Sequence, residues 1–335
     1  MRRLNIAILP AGVWGTALVV PVSDNGHRVT LYFRQNADAK KFNEVKRNLK
    51  RLPEIRFNGQ VSATSNLKKA ISGANILVLA CDVYHVRNFF KQIKPFVKEN
   101  MIILCSAKGI EKKTNLCMSE VLSEVYSNNN ANLAVMSGPN FAVEVAKRLP
   151  TMTVIASKKK TVGNLLQKAF STENFKVYTQ DDVLGVELGG ALKNVIAIGV
   201  GIGEGLRMGE NCRAALITRG IAEMIKLGTV LGANKLTFAG LSGMGDLILT
   251  CTSAQSRNYK AGFKIGRGMN PKDLLTSGET IEGLRTVKVA VGIAKKKNIE
   301  IPIMEMVYKI VYQGLKPKIG FRELMKFELS SENGD

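Results

Sequence analysis

Short apolar runs alternate with segments of helical periodicity through the first half of the chain, and this alternation limits the fold more than any other feature. The apolar runs are Leu4–Leu9, Val29–Phe33, Ile76–Ala80, Met101–Cys105, Leu133–Met136 and Thr153–Ala156. Helical patterns fall between several of them, at about 66–72, 83–93, 115–126 and 160–170. A strand with both faces covered reads as a continuous apolar run, and strand–helix–strand units give parallel sheets with right-handed crossovers. After Asp181-Asp182 strand patterns nearly vanish. Long helical segments follow at roughly 183–206, 211–231, 255–266, 271–276, 282–297 and 302–314. The expected organisation is a doubly wound α/β domain over residues 1–180 and an all-α domain over 181–335, with Ser330–Asp335 frayed.

Between the first strand and the first helix stands Pro10-Ala11-Gly12-Val13-Trp14-Gly15. That is the position of a dinucleotide-binding G-x-G-x-x-G turn, with Pro10 in place of the first glycine. Gly12 lets backbone approach a pyrophosphate, Gly15 lets the helix pack close to the sheet, and the helix N-terminus attracts phosphate. The α/β domain is therefore of the Rossmann type. Arg34 lies just past the second strand, where an arginine accommodates the 2′-phosphate of NADP and an acidic residue prefers the free hydroxyl of NAD. No Asp or Glu occupies residues 32–36, so NADP(H) is favoured, with NAD(H) as the alternative.

In the second half, Gly185-Val186-Glu187-Leu188-Gly189-Gly190-Ala191-Leu192-Lys193-Asn194 places a lysine and an asparagine inside an apolar, small-residue helix. A lysine in such company either snorkels to water or serves a purpose. Desolvation favours the neutral amine and lets a lysine trade a proton near neutral pH.

The chain carries 48 Lys+Arg against 27 Asp+Glu, a net charge of +21, which favours anionic partners without choosing among them. The lysine runs Lys158–Lys160 and Lys295–Lys297 lack interleaved aromatics and accompany no nucleic-acid-binding motif, so no nucleic-acid partner is expected. Cys81, Cys105, Cys117, Cys212 and Cys251 form no CxxC pair and read as reduced thiols of a cytoplasmic protein. With His27 and His85 as the sole histidines, no metal site is expected. The apolar stretch Leu4–Val22 is interrupted by Pro10, Gly12, Gly15 and Pro21, and reads as strand, turn and helix rather than a signal peptide or membrane anchor.

Five further blocks occur in order: Ser106-Ala107-Lys108-Gly109-Ile110, Ser137-Gly138-Pro139-Asn140-Phe141-Ala142, Gly185–Asn194, Gly240–Ser253 and Gln255-Ser256-Arg257-Asn258. Together they resemble the soluble bacterial-type NAD(P)-dependent glycerol-3-phosphate dehydrogenases over nearly the whole sequence. The resemblance implies reversible hydride transfer that interconverts dihydroxyacetone phosphate and sn-glycerol 3-phosphate. It implies Lys193 as general acid/base, Lys108 as a second lysine near substrate and nicotinamide, and Asp246 as an orienting carboxylate. It places Gly138, Asn140, Asn194, Thr250, Ser256, Arg257 and Asn258 at the substrate. Gly12, Val13, Trp14, Gly15, Arg34, Lys108, Ala142, Arg257, Thr280 and Glu282 would contact the cofactor. It further implies a cytoplasmic homodimer, not inserted in membranes, that supplies glycerol phosphate for phospholipid synthesis.

The departures from the family cluster in the first domain. Pro10 removes a backbone donor, Pro21 falls within the first helix, Asp82 stands for proline, and Arg51 and Glu54 stand for tyrosine and glycine. They predict weakened dinucleotide binding with intact hydride chemistry. A related hydroxyacid dehydrogenase would share the two-domain plan and a lysine acid, but Gln255–Asn258 and the 240–253 block argue for a phosphorylated substrate. A non-catalytic basic binder would leave the lysine and arginine motifs without a purpose.

Overall fold

A computed structural model describes residues 2–57, 59–128 and 131–326; the polar end Ser330–Asp335 lies outside them. Eight strands form one sheet: β1 (Asn5–Leu9), β2 (Arg28–Tyr32), β3 (Val61–Thr64), β4 (Ile76–Leu79), β5 (Ile102–Cys105), β6 (Asn132–Ser137), β7 (Thr151–Ala156) and β8 (Phe175–Gln180). Their order is β3-β2-β1-β4-β5-β6-β7-β8. The first six reproduce the doubly wound arrangement, in which chain order reverses between β1 and β4 and leaves a crevice at the strand ends. Every pair is parallel except β6 with β7, which is antiparallel.

The interior strands are apolar because both their faces are covered. Ile6, Ile8, Val29, Leu31, Ile76, Val78, Ile102 and Leu104 join the core on one face. Ala7, Leu9, Leu77, Leu79, Ile103 and Cys105 join the core on the other. The alternation of side chains along a strand produces this division. The apolar runs predict six strands, and the two additional ones, β3 and β8, are the edges of the sheet. Each edge strand has exposed alternate residues, as in Phe175-Lys176-Val177-Tyr178, which breaks the continuous apolar signal. The first helix, Val13–Asp24, runs through Pro21 with no break. Proline there costs one intrahelical donor near the helix end.

The chain divides into two compact units, Met1–Gly190 with Ala233–Asp246, and Ala191–Gly232 with Leu247–Asp335. The second is helical in its described residues, built on the helices Glu210–Val230, Arg257–Gly266, Glu282–Lys297 and Pro302–Tyr312 and the later turns of Val183–Gly205. That last helix is long and apolar enough to cross a membrane, but 94% of its most apolar window is buried inside the protein. Its small residues have a steric cause. A Cβ on Gly189 would lie 2.6 Å from Ser242 O, and one on Gly190 would lie 2.5 Å from Ser137 Oγ.

Candidate active site

In the first unit the glycine turn is tied to its surroundings by backbone bonds. Ala11 N donates to Tyr32 O at 2.7 Å, and Gly12 N donates to Pro10 O at 2.8 Å. Proline keeps its carbonyl, so Pro10 can replace glycine while still supplying this acceptor. Asn48, buried, donates to Ala11 O at 3.2 Å and to Thr16 Oγ1 at 2.8 Å, pinning the loop after the helix Asn36–Val45 to the turn. Nothing in the sequence singles out Asn48, a polar residue in a lysine-rich loop.

The turn fits a dinucleotide. Gly12 occupies the N-cap of Val13–Asp24 and brings no side chain to cap it, so the first-turn N–H groups are open to an anion. A Cβ on Gly12 would meet nothing within 4 Å. Arg34 is exposed just beyond β2, whose last carbonyl, Tyr32 O, holds the turn. Val13 is exposed, whereas Trp14 and Ala142 pack against the core beneath. Simple packing therefore accounts for part of what Trp14 does.

A second cluster in this unit centres on Lys108. Its ammonium donates to Asp246 Oδ2 at 2.7 Å, to Asn140 Oδ1 at 3.0 Å and to Gly138 O at 3.0 Å. An ammonium has three donors, and all three are committed. Asp246 is 1% exposed, so its carboxylate is held out of water and paired. Gly138 adopts φ +139°, and a Cβ there would lie 3.1 Å from Thr153, so only glycine suits the position. Asn140 Nδ2 donates to Thr153 Oγ1 at 3.0 Å, and Thr153 donates onward to Ser137 O at 2.8 Å. Thr153 is a residue that the sequence reading leaves in an apolar strand.

In the second unit Lys193 is 6% exposed and donates to Thr250 Oγ1 at 2.7 Å. Asn258 Nδ2 donates to Asn194 Oδ1 at 2.9 Å, and Gly283 N donates to Asn258 Oδ1 at 2.9 Å, which fixes both amides. Ser256 caps Arg257–Gly266 by accepting from Tyr259 N at 3.1 Å. Arg257, exposed at the first position of that helix, holds Glu282 at 2.8 Å. Glu282 begins the helix Glu282–Lys297, two residues after Thr280. The structure thus assembles Lys193 with Thr250, Asn194 with Asn258, and Arg257 with Glu282.

The cysteines are free thiols, four of them buried, and burial pushes the Cys81 thiol up to about 12. Among the described residues no group of three or more His, Cys, Asp or Glu is placed to hold a metal ion.

A parallel sheet reversing beside a glycine turn, and a helical unit carrying a buried lysine, define a two-part nicotinamide-dependent dehydrogenase. Comparison with known proteins gives the family. Profiles of NAD-dependent glycerol-3-phosphate dehydrogenase match residues 5–163 for its N-terminus and 182–322 for its C-terminus. The chain belongs to this family. A protein of Symbiobacterium thermophilum named glycerol-3-phosphate dehydrogenase [NAD(P)+] is 43% identical over 323 residues, 96% of this chain and 94% of that protein. One of Bacillus subtilis with the same name is 39% identical over 96% of this chain and 94% of its own length. The crystal structure of glycerol-3-phosphate dehydrogenase from Coxiella burnetii superposes with a TM-score of 0.89 at 35% identity, covering 97% of this chain and 99% of that one.

Proposed function

We propose that this chain interconverts dihydroxyacetone phosphate and sn-glycerol 3-phosphate, with Lys193 as general acid in reduction and general base in oxidation. The observation that carries this reading is the Lys193 ammonium, withdrawn from water and directed onto Thr250 Oγ1, in a chain that belongs to this dehydrogenase family. The nicotinamide, when bound, supplies or accepts the hydride at C2. Lys193 holds the proton that the C2 oxygen takes up as negative charge develops there, and removes it in the reverse direction.

Lys108 has a different task. Its three committed donors hold the side chain in place, and Asp246 pairs with it. Gly138 and Asn140 in the first unit, and Asn194 and Thr250 in the second, are the further residues assigned to the substrate. Ser256, Arg257 and Asn258 hold the phosphate, for which a forked guanidinium and a helix N-terminus are suited. Gly12, Val13, Trp14, Gly15, Arg34, Lys108, Ala142, Arg257, Thr280 and Glu282 hold the dinucleotide, with NADP(H) favoured through Arg34. In this reading residues 1–180 serve the cofactor and 181–335 the substrate. The protein works as a cytoplasmic homodimer outside the membrane and supplies glycerol phosphate for phospholipid synthesis.

The test is a steady-state assay following nicotinamide absorbance with dihydroxyacetone phosphate and either NADPH or NADH. Turnover with this substrate, and a higher kcat/KM with NADPH, are expected. Turnover of a non-phosphorylated 2-oxo acid in its place would overturn the substrate assignment.

A further inference from the structure

We infer that Thr153 is a positioning residue that sets which way round the Asn140 amide faces Lys108. The inference rests on the reading that Lys108 and Asn140 form the substrate cradle. An asparagine amide offers an acceptor at one end and donors at the other, and a half-turn about its last bond exchanges them. Only the orientation with Oδ1 towards the Lys108 ammonium is attractive, because the ammonium has nothing but donors.

Thr153 enforces that orientation through the direction of its one hydroxyl hydrogen. Ser137 O can only accept, so the hydroxyl of Thr153 donates to it at 2.8 Å. The Thr153 oxygen is then left as an acceptor, and what it accepts is Asn140 Nδ2–H at 3.0 Å. With Nδ2 committed on that side, Oδ1 is turned to Lys108 at 3.0 Å. The relay runs from a strand carbonyl, through a hydroxyl and an amide, to the ammonium. Each member has one acceptable polarity.

The relay is buried where it matters. Thr153 is 0% exposed and Asn140 is 8% exposed, so water does not compete for the amide. A buried relay of this kind is worth more than its separate bonds, and losing one member exposes the others to mispairing. Gly138 packs directly on Thr153, its missing Cβ 3.1 Å from Thr153 Oγ1, and Gly138 O is the third acceptor of Lys108. Thr153 therefore supports two of the three groups that hold the ammonium.

The test uses the full chain with Thr153→Val, which keeps the shape and removes the hydroxyl, and Thr153→Ser, which restores it. Thr153→Val should lower kcat/KM for dihydroxyacetone phosphate about 10- to 100-fold, because a misturned Asn140 amide forfeits its bond to the charged Lys108, and a lost bond to a charged group falls in that range. Thr153→Ser should return to within about threefold of the parent, well short of that loss. In an Asn140→Ala background Thr153→Val should have no additional effect, because no amide remains to orient. Urea unfolding of each variant separates this from loss of fold. Full activity in Thr153→Val, or an undiminished effect in the Asn140→Ala background, overturns the inference. Lys108→Met distinguishes the two levels. If that variant is fully active, the cradle reading itself fails; if it is inactive while Thr153→Val is normal, only the relay fails.

Discussion

Gly12 and Gly15 lie in one turn and face opposite surroundings. A Cβ on Gly12 would meet nothing within 4 Å, whereas one on Gly15 would lie 2.3 Å from Pro10 O and 3.3 Å from the Ala80 Cβ. The first glycine keeps space open above the helix N-terminus, and the second closes the helix onto the sheet.

The two alanine substitutions should therefore separate. Gly12→Ala should unfold at the parent urea concentration yet bind NADPH about tenfold more weakly, a loss of ~1.4 kcal/mol. Gly15→Ala should cost about 1–3 kcal/mol of stability, because backbone must move to admit the methyl group. Equilibrium unfolding and a fluorescence titration with the dinucleotide read the two effects. Equal stability losses in both variants would contradict this division of roles.

Lys193 and Thr250 give the second prediction. Lys193→Ala should lower kcat about 10²- to 10⁴-fold, the range ascribed to a positioned proton donor, while dinucleotide affinity stays at the parent value. Thr250→Val should have a smaller effect, since it removes a group that holds the lysine and leaves the lysine itself. Pre-steady-state hydride transfer monitored at the nicotinamide absorbance checks both. Near-normal turnover in Lys193→Ala would remove this residue from the mechanism.

The residues that the sequence reveals and those it conceals differ in physical kind. Interior strands such as Ile76–Leu79 announce themselves because both faces are buried. The edges β3 and β8 do not, because solvent on one face admits Ser62, Lys176 and Gln180. Lys193 stands out as an ammonium among apolar residues, and Gly12 and Gly15 as glycines in a strand-to-helix turn. Asp246 and Lys108 are 138 residues apart in the chain, so no local pattern announces their 2.7 Å ion pair. Thr153 is hidden for a related reason: its hydroxyl acts across the antiparallel junction of β6 and β7, a contact made by tertiary folding alone.

Arg34 supplies a third prediction. It is exposed at the end of β2, beside the strand carbonyl that holds the glycine turn. Arg34→Asp should repel a 2′-phosphate and accept the hydrogen of a free 2′-hydroxyl, shifting the NADPH/NADH ratio of kcat/KM towards NADH by tenfold or more, about 1.4 kcal/mol. Steady-state assays at one fixed ionic strength measure that ratio. An unaltered ratio would place the 2′-phosphate contact elsewhere.

Two buried carboxyls unrelated to the chemistry contribute to the pH dependence of stability. Glu187 accepts from Ser119 N and Ser119 Oγ at the start of the helix Met118–Tyr126. Glu223 accepts from Ile303 N at 2.6 Å and Met304 N at 3.1 Å, in the first turn of Pro302–Tyr312. Burial outweighs these bonds and pushes Glu187 up to about 7 and Glu223 up to about 8. Unfolded glutamate titrates near about 4.3, so the folded protein holds these protons more tightly than the unfolded chain does. The stability they contribute is whole below that value and is lost as pH rises through about 7 for Glu187 and about 8 for Glu223. Urea midpoints should accordingly fall between about pH 5 and 9. Glu187→Gln and Glu223→Gln should each begin about 1–2 kcal/mol less stable in acid, since an amide mispairs one donor, and should each flatten part of the slope. A parent midpoint unchanged across that interval would show that neither carboxyl is protonated in the folded protein.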